Sequence, residues 1–315
     1  MARCLVLGAN GFIGSHLVDA LAAKGEQVRA FDRFGGNQIN FTQAESIEIV
    51  PGNFLNRSDL SKALENIDYV FHLVSTTTPA TSEDDPLIDV ETNIRMGVEL
   101  LEECVNHKVK KVIFASTGGA IYGDTGSAEP LKESVNPQPV SPYAIGKLTI
   151  EHYLRYFNKK HGLETLTFRI SNPYGERHSP VNRQGVIPIF LHQIANKQPI
   201  TVLGDGSMVR DYLYVGDVAS LIASSFENAQ QSLYNLGSGS GVSLNELIET
   251  IKRVTSQDVQ IDHKPKPATF VQSVVLDTAR FKDEFGLEPK TSLDEGIKKT
   301  WDFVLTTQQA ETGER

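Results

Sequence analysis

The stretch Arg3-Cys4-Leu5-Val6-Leu7-Gly8-Ala9-Asn10-Gly11-Phe12-Ile13-Gly14-Ser15-His16-Leu17-Val18 decides the fold. Residues 3–7 are a short β-rich run, and the turn with Gly8, Gly11 and Gly14 follows at once. Residues 15–24 read as a helix closed by Gly25. Strand, glycine-rich turn and helix, in that order, are what a dinucleotide site requires. The glycines let the backbone approach a pyrophosphate, and the helix start offers free N–H groups and a positive dipole end. A second strand at 27–31 ends on Asp32, an acid placed to accept hydrogen bonds from the adenosine ribose and to repel a 2′-phosphate. The pattern predicts NAD as cofactor, with Gly8, Gly11, Phe12, Ile13, Gly14 and Asp32 around it.

Outward from there, apolar runs at 47–50, 69–73, 112–115 and 165–170 alternate with helical stretches such as 58–64 and 93–105. That rhythm predicts an α/β fold, a doubly wound parallel Rossmann-type sheet with helices on both faces. After Ile170 the texture turns to loops rich in proline, glycine and arginine. A helix at 189–196, strands at 200–203 and 233–236, and helices at 244–254 and 293–305 follow. The expected division is an NAD-binding domain over 1–170, to which 211–236 returns. A smaller C-terminal α/β substrate-binding domain takes 171–210 and 237–306, and 307–315 form a flexible polar tail.

A second constellation spans residues 116–147. A buried strand runs into Ser116-Thr117-Gly118-Gly119, and Ser141-Pro142-Tyr143-Ala144-Ile145-Gly146-Lys147 opens an apolar-periodic segment. Ser141 suits an N-cap and Pro142 the first helical turn, so the spacing puts Tyr143 and Lys147 on one helix face. A phenol and an ammonium together form a candidate acid–base pair.

The totals narrow the field. In 315 residues, 22% are charged and the formal net charge is −9, which argues against nucleic-acid or anionic-membrane partners. The two cysteines, Cys4 and Cys104, have no metal spacing and read as buried free thiols of a reducing compartment. With no signal-like or membrane-spanning run, the expected location is cytoplasmic.

Together the Gly-x-x-Gly-x-x-Gly turn, the Ser/Thr loop and Tyr143-x-x-x-Lys147 resemble the extended short-chain dehydrogenase/reductase family. Within it, the chain is most similar to the NAD-dependent nucleotide-sugar epimerases of the UDP-glucose/UDP-galactose type. Further matches are His72-Leu73, Asn93-x-x-x-Gly97, Arg169-x-x-Asn172-x-Tyr174-Gly175, Gly204-Asp205-Gly206-x-x-x-Arg210-Asp211 and Tyr234-Asn235-Leu236-Gly237-Ser238-Gly239.

The resemblance implies C4 epimerisation of a UDP-sugar through transient oxidation, with Thr117, Tyr143 and Lys147 as catalytic residues. It adds Asn53, Leu73, Asn93 and Ser116, with Tyr143 and Lys147, to the NAD contacts. It gives Asn172 and Arg210 to the substrate diphosphate and Val186 and Leu203 to the base pocket. It also implies a homodimer through the helices starting near Asn93 and Tyr143, for which Val98, Leu101, Tyr153 and Phe157 are candidates; a monomer's core would absorb them equally. Asn53 stands where the family usually has aspartate. Lys266 either replaces a family arginine on the diphosphate or the contact is lost. A free phenol titrates near ~10, and Lys147 with a positive nicotinamide would together bring it to ~7. Family dehydratases carry Asp-Glu directly after the Ser/Thr, where this chain has Gly118-Gly119, glycines that also leave room beside the sugar. Another UDP-sugar epimerase, a dehydratase or reductase, and a non-enzymatic NAD-sensing protein are the alternatives.

Overall fold

The computed structural model describes residues 1–35, 39–42, 44–126, 129–178, 185–266 and 271–313. Its strands are β1 (Arg3–Leu7), β2 (Gln27–Asp32), β3 (Glu48–Pro51), β4 (Tyr69–His72), β5 (Lys111–Thr117), β6 (Glu164–Ile170), β7 (Asn172–Tyr174), β8 (Ile200–Leu203), β9 (Val209–Tyr214), β10 (Leu233–Leu236), β11 (Gly241–Ser243), β12 (Ile261–Lys264) and β13 (Ser273–Val274). The α-helices are α1 (Phe12–Ala23), α2 (Arg57–Ala63), α3 (Pro79–Asp84), α4 (Pro86–Asp89), α5 (Arg95–Asn106), α6 (Pro142–His161), α7 (Val186–Ala195), α8 (Val215–Ser225), α9 (Leu244–Thr255), α10 (Ala279–Phe285) and α11 (Leu293–Gly313).

Seven strands form one parallel sheet in the order β3-β2-β1-β4-β5-β6-β10. This is the doubly wound Rossmann-type arrangement expected, whose ligand crevice lies where the strand order reverses, between β1 and β4. Both faces are buried, which is why the strands read as continuous apolar runs. In β1, Cys4 and Val6 face one core layer while Leu5 and Leu7 face the other. The first layer also takes Leu17 of α1, Val218 of α8 and Phe281 of α10; the second takes Leu100 of α5 and Ile150, Leu154 and Phe157 of α6.

Strand β6 ends at Ile170 and β7 begins at Asn172, in a smaller sheet where β9 pairs with β7, β11 and β13. A further pair joins β8 to β12. Leu191, Ile200, Leu247, Ile251 and Trp301 build a separate core beneath α7, α9 and α11. Strand β10 then pairs with β6, as the sequence suggested for 233–236.

Several elements differ from the sequence reading. Residues 210–212 lie within β9, whose charged Arg210 and Asp211 hide a strand with partners distant in sequence. Helix α10 and strand β12 were not anticipated. Helix α11 runs on to Gly313, past the expected end at 305. Before α5, residues Val90–Ile94 form a π-helical turn, and such turns recur at functional sites.

Candidate active site at the sheet's C-terminal edge

The glycine-rich turn is held against β2, since Gly8 and Ala9 both donate to Phe31 O. Gly8 has φ +82°, and a Cβ at Gly14 would lie 2.0 Å from Gly8 O, so only glycine lets α1 start this close to β1. Helix α1 has Gly11 at its N-cap, no capping side chain and no acid in its first turn. An uncapped helix start at the switch point is a fitting cradle for a pyrophosphate. Asp32 sits at the end of β2, its carboxylate accepting from Asn10 N at 3.0 Å and Arg33 N at 2.7 Å. Phe12 and Ile13 open α1, and Leu73 follows β4, where its main chain packs on Gly8. These residues fit a dinucleotide. Asn53 follows β3, and its Oδ1 accepts from Leu55 N at 3.1 Å in a local turn.

Helix α6 forms as its sequence dictates. Ser141 Oγ accepts from Ala144 N, Pro142 takes the first turn, and Gly162 ends the helix with φ +71°. Tyr143 and Lys147 share a face, with Lys147 Nζ 5.8 Å from the Tyr143 ring centroid and 4.8 Å from that of Phe114. The ammonium donates to Ala115 O at 3.0 Å, tying α6 to the strand that ends in Thr117. Ser116 is turned away: its hydroxyl donates to Glu151 Oε1 at 2.6 Å. The Ser116 proton is thereby committed to Glu151, and Thr117 is the other hydroxyl of this loop.

Electrostatics depart from the expectation for the base. Burial first, and then the charge of Asp89, push the Tyr143 phenol up to about 12, while burial pulls Lys147 down to about 8 against Asp89 and Glu151. The chain by itself keeps the phenol protonated. His72, beneath the pair, is held neutral by burial and by Lys147, at about 3.

Sequence reasoning missed Asp89. It is 2% exposed, and its Oδ1 accepts from Thr77 Oγ1 at 2.5 Å and Asn93 Nδ2 at 2.7 Å. Asn93 Oδ1 in turn accepts from Thr76 N at 3.0 Å. The motif glycine Gly146 was the available signal, since a Cβ there would lie 1.9 Å from Asp89 Oδ2.

On the substrate side, Asn172 Nδ2 donates to Asp211 O at 2.9 Å. The Arg210 guanidinium is fixed by the carbonyls of Val209 and Val271, each at 2.7 Å, and lies beside Gln272, whose Oε1 takes Lys266 Nζ at 3.1 Å. Arg210 and Lys266 thus meet at Gln272, which the sequence did not single out. Residues 267–270, next to Lys266, lie outside the described residues. Val186 starts α7 and Leu203 ends β8, where it is 37% exposed. Gly118 does not open a void: a Cβ there would be 2.5 Å from Leu276 Cδ1, and at Gly119 it would be 3.1 Å from Asn172 Oδ1. What the pair lacks is an acid or base, not bulk.

Residues 4–237 match the model of the NAD dependent epimerase/dehydratase family. The chain belongs to it. Among relatives of this epimerase/dehydratase, a putative UDP-glucose 4-epimerase of Methanocaldococcus jannaschii is 33% identical over 95% of this chain and 97% of its own. A dTDP-4-dehydro-6-deoxyglucose reductase of Escherichia coli is 32% identical over 94% and 95%. The crystal structure of a Thermotoga maritima UDP-glucose 4-epimerase with UDP-glucose superposes with a TM-score of 0.91 at 35% identity, covering 97% of this chain and 99% of that one. Family membership brings NAD as the cofactor of this epimerase/dehydratase.

The candidate dimer residues divide. Leu101 and Phe157 are buried in the second core layer and Val98 packs against it, whereas Tyr153 is exposed with Ile145 and Tyr156 on the outer face of α6. Both cysteines are buried and free. Among the described residues no helix is long and apolar enough to cross a membrane.

Proposed function

We propose that this chain interconverts the C4 epimers of a UDP-sugar, UDP-glucose and UDP-galactose foremost, with no net redox change. The observation that carries the reading is the acid–base set itself. Tyr143 and Lys147 stand on one face of α6, Lys147 is anchored on the strand ending in Thr117, and Gly118-Gly119 follow without a side chain able to move a proton.

Tyr143 takes the proton of the sugar's C4 hydroxyl and returns it, and Thr117 orients that hydroxyl. When bound, NAD supplies the hydride acceptor and donor at C4 and a positive ring beside the phenol. Because burial and Asp89 hold Tyr143 high, the phenol ionises only with added positive charge next to it. Lys147 stabilises the phenolate as it forms. A dehydratase or decarboxylase would need a further acid or base at the sugar, which the two glycines do not give.

Gly8, Gly11, Phe12, Ile13, Gly14, Asp32, Leu73 and Asn93 would hold the dinucleotide. Asn172, Arg210 and Lys266 would take the diphosphate, and Val186 and Leu203 the base, by analogy with the UDP-glucose complex of the Thermotoga relative. The protein would work in the cytoplasm as a homodimer. Exposed Ile145, Tyr153 and Tyr156 along α6 support the dimer, and light scattering at micromolar concentration tests it.

The deciding experiment is NMR of the purified protein incubated with UDP-glucose, UDP-galactose, their N-acetyl forms and UDP-glucuronate. C4 epimers are expected. A 4-keto-6-deoxy product, released carbon dioxide or stoichiometric NADH consumption would each overturn the reading, the last in favour of a reductase.

A further inference from the structure

Asp89 is a buried acid that neither takes up nor gives up a proton in the reaction just described. It ends α4, at the start of the π-helical turn, and lies against α6 at Gly146, between Tyr143 and Lys147 in the chain. Its Oδ1 carries two uncharged donors, Thr77 Oγ1 and Asn93 Nδ2, while the buried Oδ2 makes no hydrogen bond with the protein. That second oxygen occupies the space where any side chain at position 146 would begin, 1.9 Å from an added Cβ. The glycine in Tyr143-x-x-Gly146-Lys147 is a berth for this carboxylate.

We propose that Asp89 is a positioning residue that sets the charge state of the Tyr143–Lys147 pair, with Gly146 admitting its carboxylate to the helix surface. The charged and titratable groups around the pair come from three elements. His72 of β4 is neutral through the working range. Glu151, one turn along α6, is neutralised by Arg169 at 2.7 Å. Asp89 has only neutral donors, so its field falls undiluted on the pair. It favours the charged ammonium of Lys147 and opposes the phenolate of Tyr143, in agreement with the direction it gives both groups. The same carboxylate orients Asn93, whose Oδ1 is bound to Thr76 N, so the loop after β4 and the catalytic helix share one anchor. The consequence is a base held protonated, and a lysine held charged, until positive charge arrives beside the phenol.

This inference rests on Tyr143 as the base, and one arm of its test needs no turnover. Asp89→Asn keeps the size and an acceptor for Thr77 and Asn93 while removing the charge. Tyrosinate absorbance is titrated with NAD bound, using Tyr143→Phe as the blank, and the Tyr143 transition is expected to move down by roughly 0.5–1 pH unit. In the pH profile of kcat for UDP-sugar turnover, the acid limb moves down by the same amount. Gly146→Ala, whose methyl displaces the carboxylate, is expected to shift both in the same direction, and it serves if Asp89→Asn does not fold. A folded variant whose titration and profile are lowered in height but unshifted in pH would assign Asp89 a merely structural role and overturn the proposal. A shifted tyrosinate titration without UDP-sugar epimerisation in any variant would sustain it and overturn the proposed substrate instead.

Discussion

Ser116 Oγ donates to Glu151 Oε1 at 2.6 Å, on the same carboxylate that pairs with Arg169 at 2.7 Å. The Arg169 guanidinium also donates to Tyr122 OH at 3.0 Å, and Tyr122 to Asn235 Oδ1 at 2.6 Å. A buried polar chain thus runs from α6 across β5 and β6 to β10. Strand alternation puts Ser116 on the α6 face of β5, with Val112 and Phe114.

Arg169→Met should be strongly destabilising, because it leaves Glu151 buried with only Ser116 as a partner. A loss of about 3–5 kcal/mol is expected in urea unfolding. The double variant with Glu151→Leu should recover much of it. Equal losses in the single and double variants would show that the charge pairing is not the cause.

Tyr143→Phe removes one oxygen and leaves the packing of α6 intact. Turnover should fall by at least about 10²-fold while circular dichroism and NAD binding persist. A residual rate above about a tenth of wild type would remove Tyr143 from the role of base.

Two backbone N–H groups fix the Asp32 carboxylate at the end of β2, where in the proposed dinucleotide site it would repel a 2′-phosphate. Protein stripped of dinucleotide should bind NAD much more tightly than NADP, and Asp32→Ser should narrow the gap. Titration calorimetry with both dinucleotides settles it; equal affinities in the wild type would contradict the assignment.

Gly14→Ala should damage the turn, since its methyl would meet Gly8 O. A lower unfolding midpoint and NAD binding weaker by about tenfold or more, some 1.4 kcal/mol, are expected. Unchanged binding would mean that the turn relaxes without cost.

His72 is buried, its Nδ1 has no hydrogen-bond partner, and its pKa falls from 6.5 to about 3 on folding. The unfolded chain binds a proton at this residue below pH 6.5 that the folded protein refuses until about pH 3. Stability from this residue is therefore complete above the upper value and is lost as pH falls between the two, at about 1.4 kcal/mol per unit. Comparing urea midpoints at pH 7.5 and 5 isolates the effect, because His72→Phe should lose less than the wild type. Equal losses would mean that the imidazole finds a partner in solution.

The fold was legible wherever local pattern and burial agree. The β1 turn, the α6 cap with Ser141 and Pro142, and the strands of the main sheet carry their own signals. The smaller sheet was not legible, because two adjacent charges, Arg210 and Asp211, interrupt the apolar run of β9 and its partners lie far along the chain. Spacing put Tyr143 and Lys147 on one helix face, the loop offered Ser116 and Thr117 alike, and only the family resemblance assigned roles to them. Asp89 was not readable, because a lone acid before a helix looks like a surface cap, and its effect on Tyr143 depends on desolvation that no local pattern records. The reading of Gly118 as free space failed for the same reason, since Leu276 comes from a distant segment.

The path of the backbone limits how this protein might be recombined. The chain leaves the seven-stranded sheet after Ile170, comes back to it for β10, and departs again after Leu236, while Phe281 of α10 joins its core once more. No single cut separates the two lobes. A chimera made by joining the first 170 residues to the rest of a homologue would bring a foreign β10 and a foreign α10 into the native sheet. Transplanting sugar preference between relatives is therefore better attempted by exchanging short loops than by exchanging halves of the gene.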